Sequence, residues 1–175
     1  MIQAYGNEEP EAQGEPRISV TVDSRRNFAF VRAGEGVRVT FGLDPGNRRG
    51  KPCHLWFWAS TPQGSFWYVR GRWVASERPR SHGKFRLFEL CPTLLWSTSR
   101  PLAAPGEYWF SMIVSEGDEP DFRASLHGCA EVIVTRAGGH ADGHDPGGRD
   151  RDARFCDRLA SMAKQAGAGG ACQEL

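Results

Sequence analysis

Nowhere in the 175 residues is there an uninterrupted apolar run of the roughly 18–20 residues that a transmembrane helix needs. The chain does not open on a charged stretch followed by an apolar one, the mark of a signal peptide. No Cys-x-x-Cys pair occurs, which removes the zinc-ribbon, thioredoxin-like and c-type haem patterns. Gly-x-Ser-x-Gly, His-Glu-x-x-His and a glycine-rich phosphate loop opening a helix are also missing. Charge of one sign is missing too: the net charge is +1 and the pI about 7.7, which is no global field for sequence-independent nucleic-acid binding. Tyrosine is scarce at three residues, while tryptophan reaches six and phenylalanine ten. Aromatics in that proportion imply a heavy aromatic core or a stacking surface.

What the chain does contain is strand after strand. Arg17–Asp23 alternates Ile18, Val20 and Val22 with polar residues, the period of a strand with one buried face. Gly36–Asp44 repeats this with Val37, Val39, Phe41 and Leu43, and the turn Asp44-Pro45-Gly46-Asn47 follows. Further strands are read at Cys53–Ser60, Ser65–Arg70, Lys84–Leu90, Gly106–Ser115 and Cys129–Arg136. The separators are rich in Gly, Pro and polar residues, as in a sandwich or barrel. No long helical pattern interrupts them, so a parallel βαβ architecture is not expected. Residues 1–16 are polar, 17–136 form the β-domain, 137–151 a Gly/His/Asp-rich linker, and 152–175 a helix with a cysteine-bearing tail. In the tail, Phe155, Leu159, Met162 and Ala163 recur at helical spacing after a potential N-cap, Asp152, and glycines follow at 167, 169 and 170.

Several motifs occur in a telling order: Val37-Arg38-Val39 running to Leu43-Asp44-Pro45-Gly46, Ala59-Ser60-Thr61-Pro62-Gln63-Gly64, Phe66-Trp67-Tyr68, Leu87-Phe88-Glu89-Leu90, and Pro105-Gly106-Glu107-Tyr108-Trp109-Phe110. Together they resemble an immunoglobulin-like domain of bacterial exported proteins. The resemblance implies an all-β, two-sheet antiparallel immunoglobulin-like sandwich, here with a short C-terminal helix. It also implies a non-catalytic module of a periplasmic, cell-surface or secreted assembly, its signal peptide removed. Relatives often carry an Asn/Asp-rich turn like a calcium loop after the Tyr-x-Phe strand. Here that place holds the compressed acidic run Glu116 to Asp121, and the cysteines are a departure from the family pattern.

The aromatic strands sort their side chains by face. Leu55, Phe57 and Ala59 lie opposite Trp56 and Trp58, and Tyr108, Phe110 and Met112 lie opposite Trp109. One face is core, so the second is also aromatic, and an open apolar face marks a partner or ligand surface. Trp56, Trp58, Trp67, Trp73 and Trp109, with Arg70 and Arg72, are therefore candidates for docking protein subunits. The alternatives are sugar rings, as in a carbohydrate-binding module, and cover by the chain's own loops and tail. Arg78 and Arg80 extend the basic patch. The near-neutral total weighs against nucleic acid and leaves an anionic protein or a lipid headgroup.

Catalysis has little to start from. Cys53 and His54 are neighbours on a strand and point to opposite faces, which argues against a dyad. No cofactor is expected. His140, Asp142, His144 and Asp145 offer zinc ligands, but ordering a glycine-flanked linker costs about 1–2 kcal/mol per residue. Asp118 and Asp121 offer calcium too few oxygens without backbone help.

Five cysteines leave at least one thiol outside any intrachain pair. One pair among Cys53, Cys91 and Cys129 is open, and spacing does not choose it. From Cys156 a helix to Gly167 rises about 16 Å at 1.5 Å per residue, and the glycine-rich return to Cys172 just spans it. A Cys156–Cys172 disulfide would add roughly 3 kcal/mol. Peptide mapping without reductant checks it: the two cysteines should appear linked, and finding both alkylated would remove the pairing.

Overall fold

The computed structural model describes residues 14–23, 27–97, 102, 104–118 and 125–136, with the backbone only at 95–97. Among these residues ten strands form two sheets, and the helical content is one short 3-10 turn, Gly46–Arg48. The strands are β1 (Arg17–Val22), β2 (Phe28–Arg32), β3 (Arg38–Asp44), β4 (Pro52–Thr61), β5 (Gly64–Val69), β6 (Arg72–Ala75), β7 (Gly83–Arg86), β8 (Leu90–Ser97), β9 (Gly106–Ser115) and β10 (Leu126–Thr135). The smaller sheet has the order β1-β3-β8, and the larger β2-β10-β9-β4-β5-β6. β7 joins the larger sheet beside the first residues of β4, Pro52 to Leu55, while β5 pairs Trp58 to Thr61.

The main core lies between the sheets. Val20, Val22, Val39, Phe41 and Leu43 of the small sheet meet Leu55, Phe57, Ala59, Tyr108, Phe110, Met112, Ala130 and Val132 of the large one. Phe41 and Phe57 cross edge to face with centroids 5.4 Å apart, a direct contact between β3 and β4. β1 comes close over β10 because position 128 is glycine: a Cβ there would sit 2.6 Å from Ile18 Cγ2.

Two expectations need correction. The sandwich is not wholly antiparallel, because β2 runs parallel to β10, with Phe28 opposite Glu131 and Arg32 opposite Thr135. Three strands also lie where none was read. β2 is five residues at a sheet edge and shows no clean alternation. β6 follows a two-residue turn in which Arg70 and Gly71 both have positive φ, 50° and 85°. That is the primed geometry of tight hairpins, signalled in sequence by Asn-Gly or Asp-Gly and hidden here by Arg-Gly. β8 contains Pro92 and two register shifts against β3, tolerable because it is an edge strand. The expected helix over 152–166, the linker 137–151 and residues 1–13 lie outside the described residues.

The Phe41–Phe57 contact gives a direct check. Phe41→Ala should cost about 3–5 kcal/mol of unfolding free energy, measured by urea denaturation. Gly128→Val should also destabilise, by forcing β1 off β10.

Candidate functional site

The outward face of the larger sheet is where sequence placed the partner surface. Strand register brings Trp67, Trp58, Ser111 and Cys129 into one row across β5, β4, β9 and β10, with Trp56 beside Ile113 and Trp109 beside Glu131 in the flanking rows. Trp58 and Trp67 are 0% exposed, Trp109 1% and Trp56 3%. They form a second core with Ile113, on the opposite side of the sheet from the first. Trp58 stacks on Trp67 at 6.2 Å, and Trp56 meets Trp67 edge-on at 6.3 Å. The Trp56 indole N–H donates to Ser115 Oγ and that of Trp67 to the Ser76 carbonyl. The assignment of these four tryptophans to an accessible partner or sugar surface is thereby corrected: their rings offer nothing a ligand can reach. The faces were sorted correctly; burial of the second face is a matter of what lies beyond the sheet.

Trp73 belongs elsewhere. The two-residue turn sets Trp73 opposite Tyr68 and Arg72 opposite Val69, so Trp73 and Tyr68 share the inner side of the sheet. The larger sheet is six strands wide along its main path and the smaller three. With strands about 4.8 Å apart, the β5–β6 end extends past the small sheet and its inner side is half-buried. A ladder of rings runs there. Trp73 lies 5.4 Å from Tyr68, Tyr68 stacks on His82 at 5.3 Å, His82 on Phe85 at 5.7 Å, and Phe88 follows at 6.2 Å. Phe57 of the core abuts Tyr68 and His82 edge-on, which roots the ladder. His82 Nδ1 lies 3.3 Å from the Tyr68 carbonyl oxygen. A carbonyl only accepts, so Nδ1 carries a proton.

Around this end the charge is one-sided. Arg70, Arg72, Arg78, Arg80, Lys84 and Arg86 are all exposed, against Glu77 and Glu89 in the same stretch. Sequence had found four of these arginines and Trp73. It missed His82, Phe85 and Phe88, because 76–82 reads as a polar separator and the stacking depends on β7 lying beside β4.

The other candidates are dispersed. Asp118 Oδ1 accepts from His54 Nε2 at 2.9 Å, and Glu116 lies 3.8 Å from Arg48. The acidic turn thus engages its own chain's basic groups. Asp121, His140, Asp142, His144, Asp145, Cys156 and Cys172 lie outside the described residues. Among the described residues no three His, Cys, Asp or Glu side chains group as metal ligands. Cys53 points into the core and His54 to the other face of β4, as alternation requires. A concavity of about 220 Å³ is lined by Arg48, Lys51, Cys53, Leu87, Val114 and Leu126 among others. It is smaller than the roughly 300–1,000 Å³ usual for small-molecule sites.

The pairing left open among Cys53, Cys91 and Cys129 is not found: no two of the three are joined. Cys53 faces the inner core, Cys91 is exposed on the edge strand of the small sheet, and Cys129 is on the outer side of the large sheet. Burial pushes the Cys53 thiol above its ordinary 9.0. The folded state then holds this proton more tightly than the unfolded one, so Cys53 contributes to a loss of stability as pH rises past about 9. At neutral pH a maleimide should label Cys91 quickly and Cys53 only after unfolding, as followed by mass spectrometry; rapid labelling of Cys53 in the folded protein would contradict this burial.

No family model matches the sequence, and no curated protein matches it. Among solved structures the chain is similar to that of Spo0M, a sporulation control protein from Bacillus subtilis, with 11% identity and a TM-score of 0.34. The match covers 73% of this chain and 51% of that one, so the chain spans about half the length of that protein. A likeness this distant carries no argument about fold or function.

Proposed function

We propose that this protein is a non-catalytic interaction module that docks an acidic protein partner at the β5–β7 end of its larger sheet. The observation that carries the proposal is the combination found there: half-buried Trp73, Tyr68, Phe85 and His82 and the exposed Phe88, set among exposed arginines and a lysine. Aromatic residues and arginine are the types enriched at protein interfaces and their hot spots. The arginines give the encounter its direction, since opposite potentials steer association. Sugar stacking is less well supported. A pyranose needs an open ring face, and Tyr68, His82 and Phe85 turn their faces to one another at interplanar angles of 18° and 10°.

Immunoglobulin-like topology and placement in an exported or cell-surface assembly belong to the same proposal. Two packed sheets support the first, together with the Tyr108 hydroxyl, which donates to the Ala104 carbonyl at 3.0 Å in the manner of a tyrosine corner. Among the described residues no helix is long and apolar enough to cross a membrane.

A photo-cross-linking residue at position 73, introduced in the native host, should capture a partner that the same residue at Thr21 does not. With that partner purified, Trp73→Ala should cost about 2 kcal/mol, roughly thirtyfold in Kd. Arg70→Glu should weaken binding most at low salt. Unchanged affinity in both variants would overturn the proposed surface.

A further inference from the structure

The concavity of about 220 Å³ lies where β4 begins and β9 ends, on the inner side of the larger sheet. Its burial is graded from floor to rim. Cys53, Leu87 and Val114 are buried and Leu126 is half-buried, and together they form an apolar floor. Strand register dictates that composition. Val114 stands opposite Leu126 of β10 and Leu55 of β4, and Cys53 shares the face of Leu55 two residues on. Pro16 and Pro52 add walls with no backbone donor. Burial keeps the Cys53 thiol in its neutral form, so the floor brings no charge. The rim is different. Arg48, Lys51 and Glu116 are all exposed there, two basic groups against one carboxylate. Glu116 lies 3.8 Å from Arg48, both well exposed, and such a pair is weak in water. Neighbouring basic groups are committed, Arg49 to Glu89 and Arg86 to the Gly50 carbonyl. Lys51 has no ion-pair partner among the described residues.

We propose that this concavity binds a small monocarboxylate with an unbranched apolar chain. The chain lies on Cys53, Leu87, Val114 and Leu126, and the carboxylate meets Lys51 and Arg48 at the rim. Water in an apolar hollow finds few polar partners, and an empty hollow leaves its lining atoms without contacts on one side. An apolar chain supplies those contacts. A negative head group suits the excess of positive charge at the opening. Size narrows the class further. At about 30 Å³ of liquid volume per water-sized group, there is room for about seven groups, which matches the chain of octanoate. A hollow below the usual range for small-molecule sites thus fits a ligand that is itself small. None of these side chains is among those proposed to dock a protein partner, and a ligand here leaves that surface open.

The test titrates the full-length protein, its methyl groups isotope-labelled, with sodium octanoate and follows the methyl resonances. Saturable shifts should appear at Leu87, Val114 and Leu126 and not at Val69 or Val74. Hexanoate, shorter by two methylenes, should bind about fifteenfold more weakly. Decanoate should gain nothing over octanoate, because the hollow is then full. Lys51→Glu, at an exposed position, should weaken octanoate about fivefold, and less at high salt, while leaving the binding of neutral octanol unchanged. Failure to saturate in the millimolar range, or shifts centred on other methyl groups, would overturn the proposed site. So would decanoate binding tighter than octanoate, or a Lys51→Glu variant that keeps its full affinity for octanoate or loses octanol equally.

Discussion

The constraint on which everything else depends is that β4 and β9, paired along most of their length at the centre of the larger sheet, are buried on both faces. A strand in that position cannot alternate apolar with polar. Its residues must be apolar throughout, or polar and satisfied, as Ser115 is when it accepts from Trp56 and donates to the Gly117 carbonyl. Cys53 to Thr61 and Tyr108 to Ser115 read as near-continuous apolar runs for this reason. The inner face takes Leu55, Phe57 and Met112; the outer face takes the tryptophans, large enough to fill a layer with few residues.

That double burial leaves function to the margins. The tryptophans a ligand would prefer are buried, and the indole N–H groups of Trp56 and Trp67 donate to their own chain. Recognition chemistry remains where the larger sheet outruns the smaller one. There the inner side is neither fully covered nor fully open, and the rings of Trp73, Tyr68, His82 and Phe85 pack mainly on each other. The same end carries exposed positive charge that the near-zero total conceals, because acidic residues are concentrated elsewhere in the chain.

Particular residues show how far local pattern reaches. Alternation in β1, β3 and β9 identified those strands and assigned Phe57 and Trp58 to opposite faces, because side-chain period along a strand is a local property. It failed at β6 and β8. Arg70 adopts a turn conformation that its residue type seldom signals, and Pro92 sits in a strand only because that strand is at an edge. The parallel pairing of β2 with β10 joins segments about a hundred residues apart, and no local pattern encodes it.

By itself the sequence determined that the chain is built of strands, that its aromatic residues fall into two sets on opposite faces, and that the familiar metal and nucleophile motifs are missing. Only the tertiary structure decided that both aromatic sets are interior, that Trp73 leaves the other tryptophans to join Tyr68, and that Cys53, Cys91 and Cys129 stand on three separate surfaces. The physical reason is the same in each case. Period two records which side chains travel together, whereas burial depends on what is packed beyond them, and that is set by contacts between residues far apart in the chain.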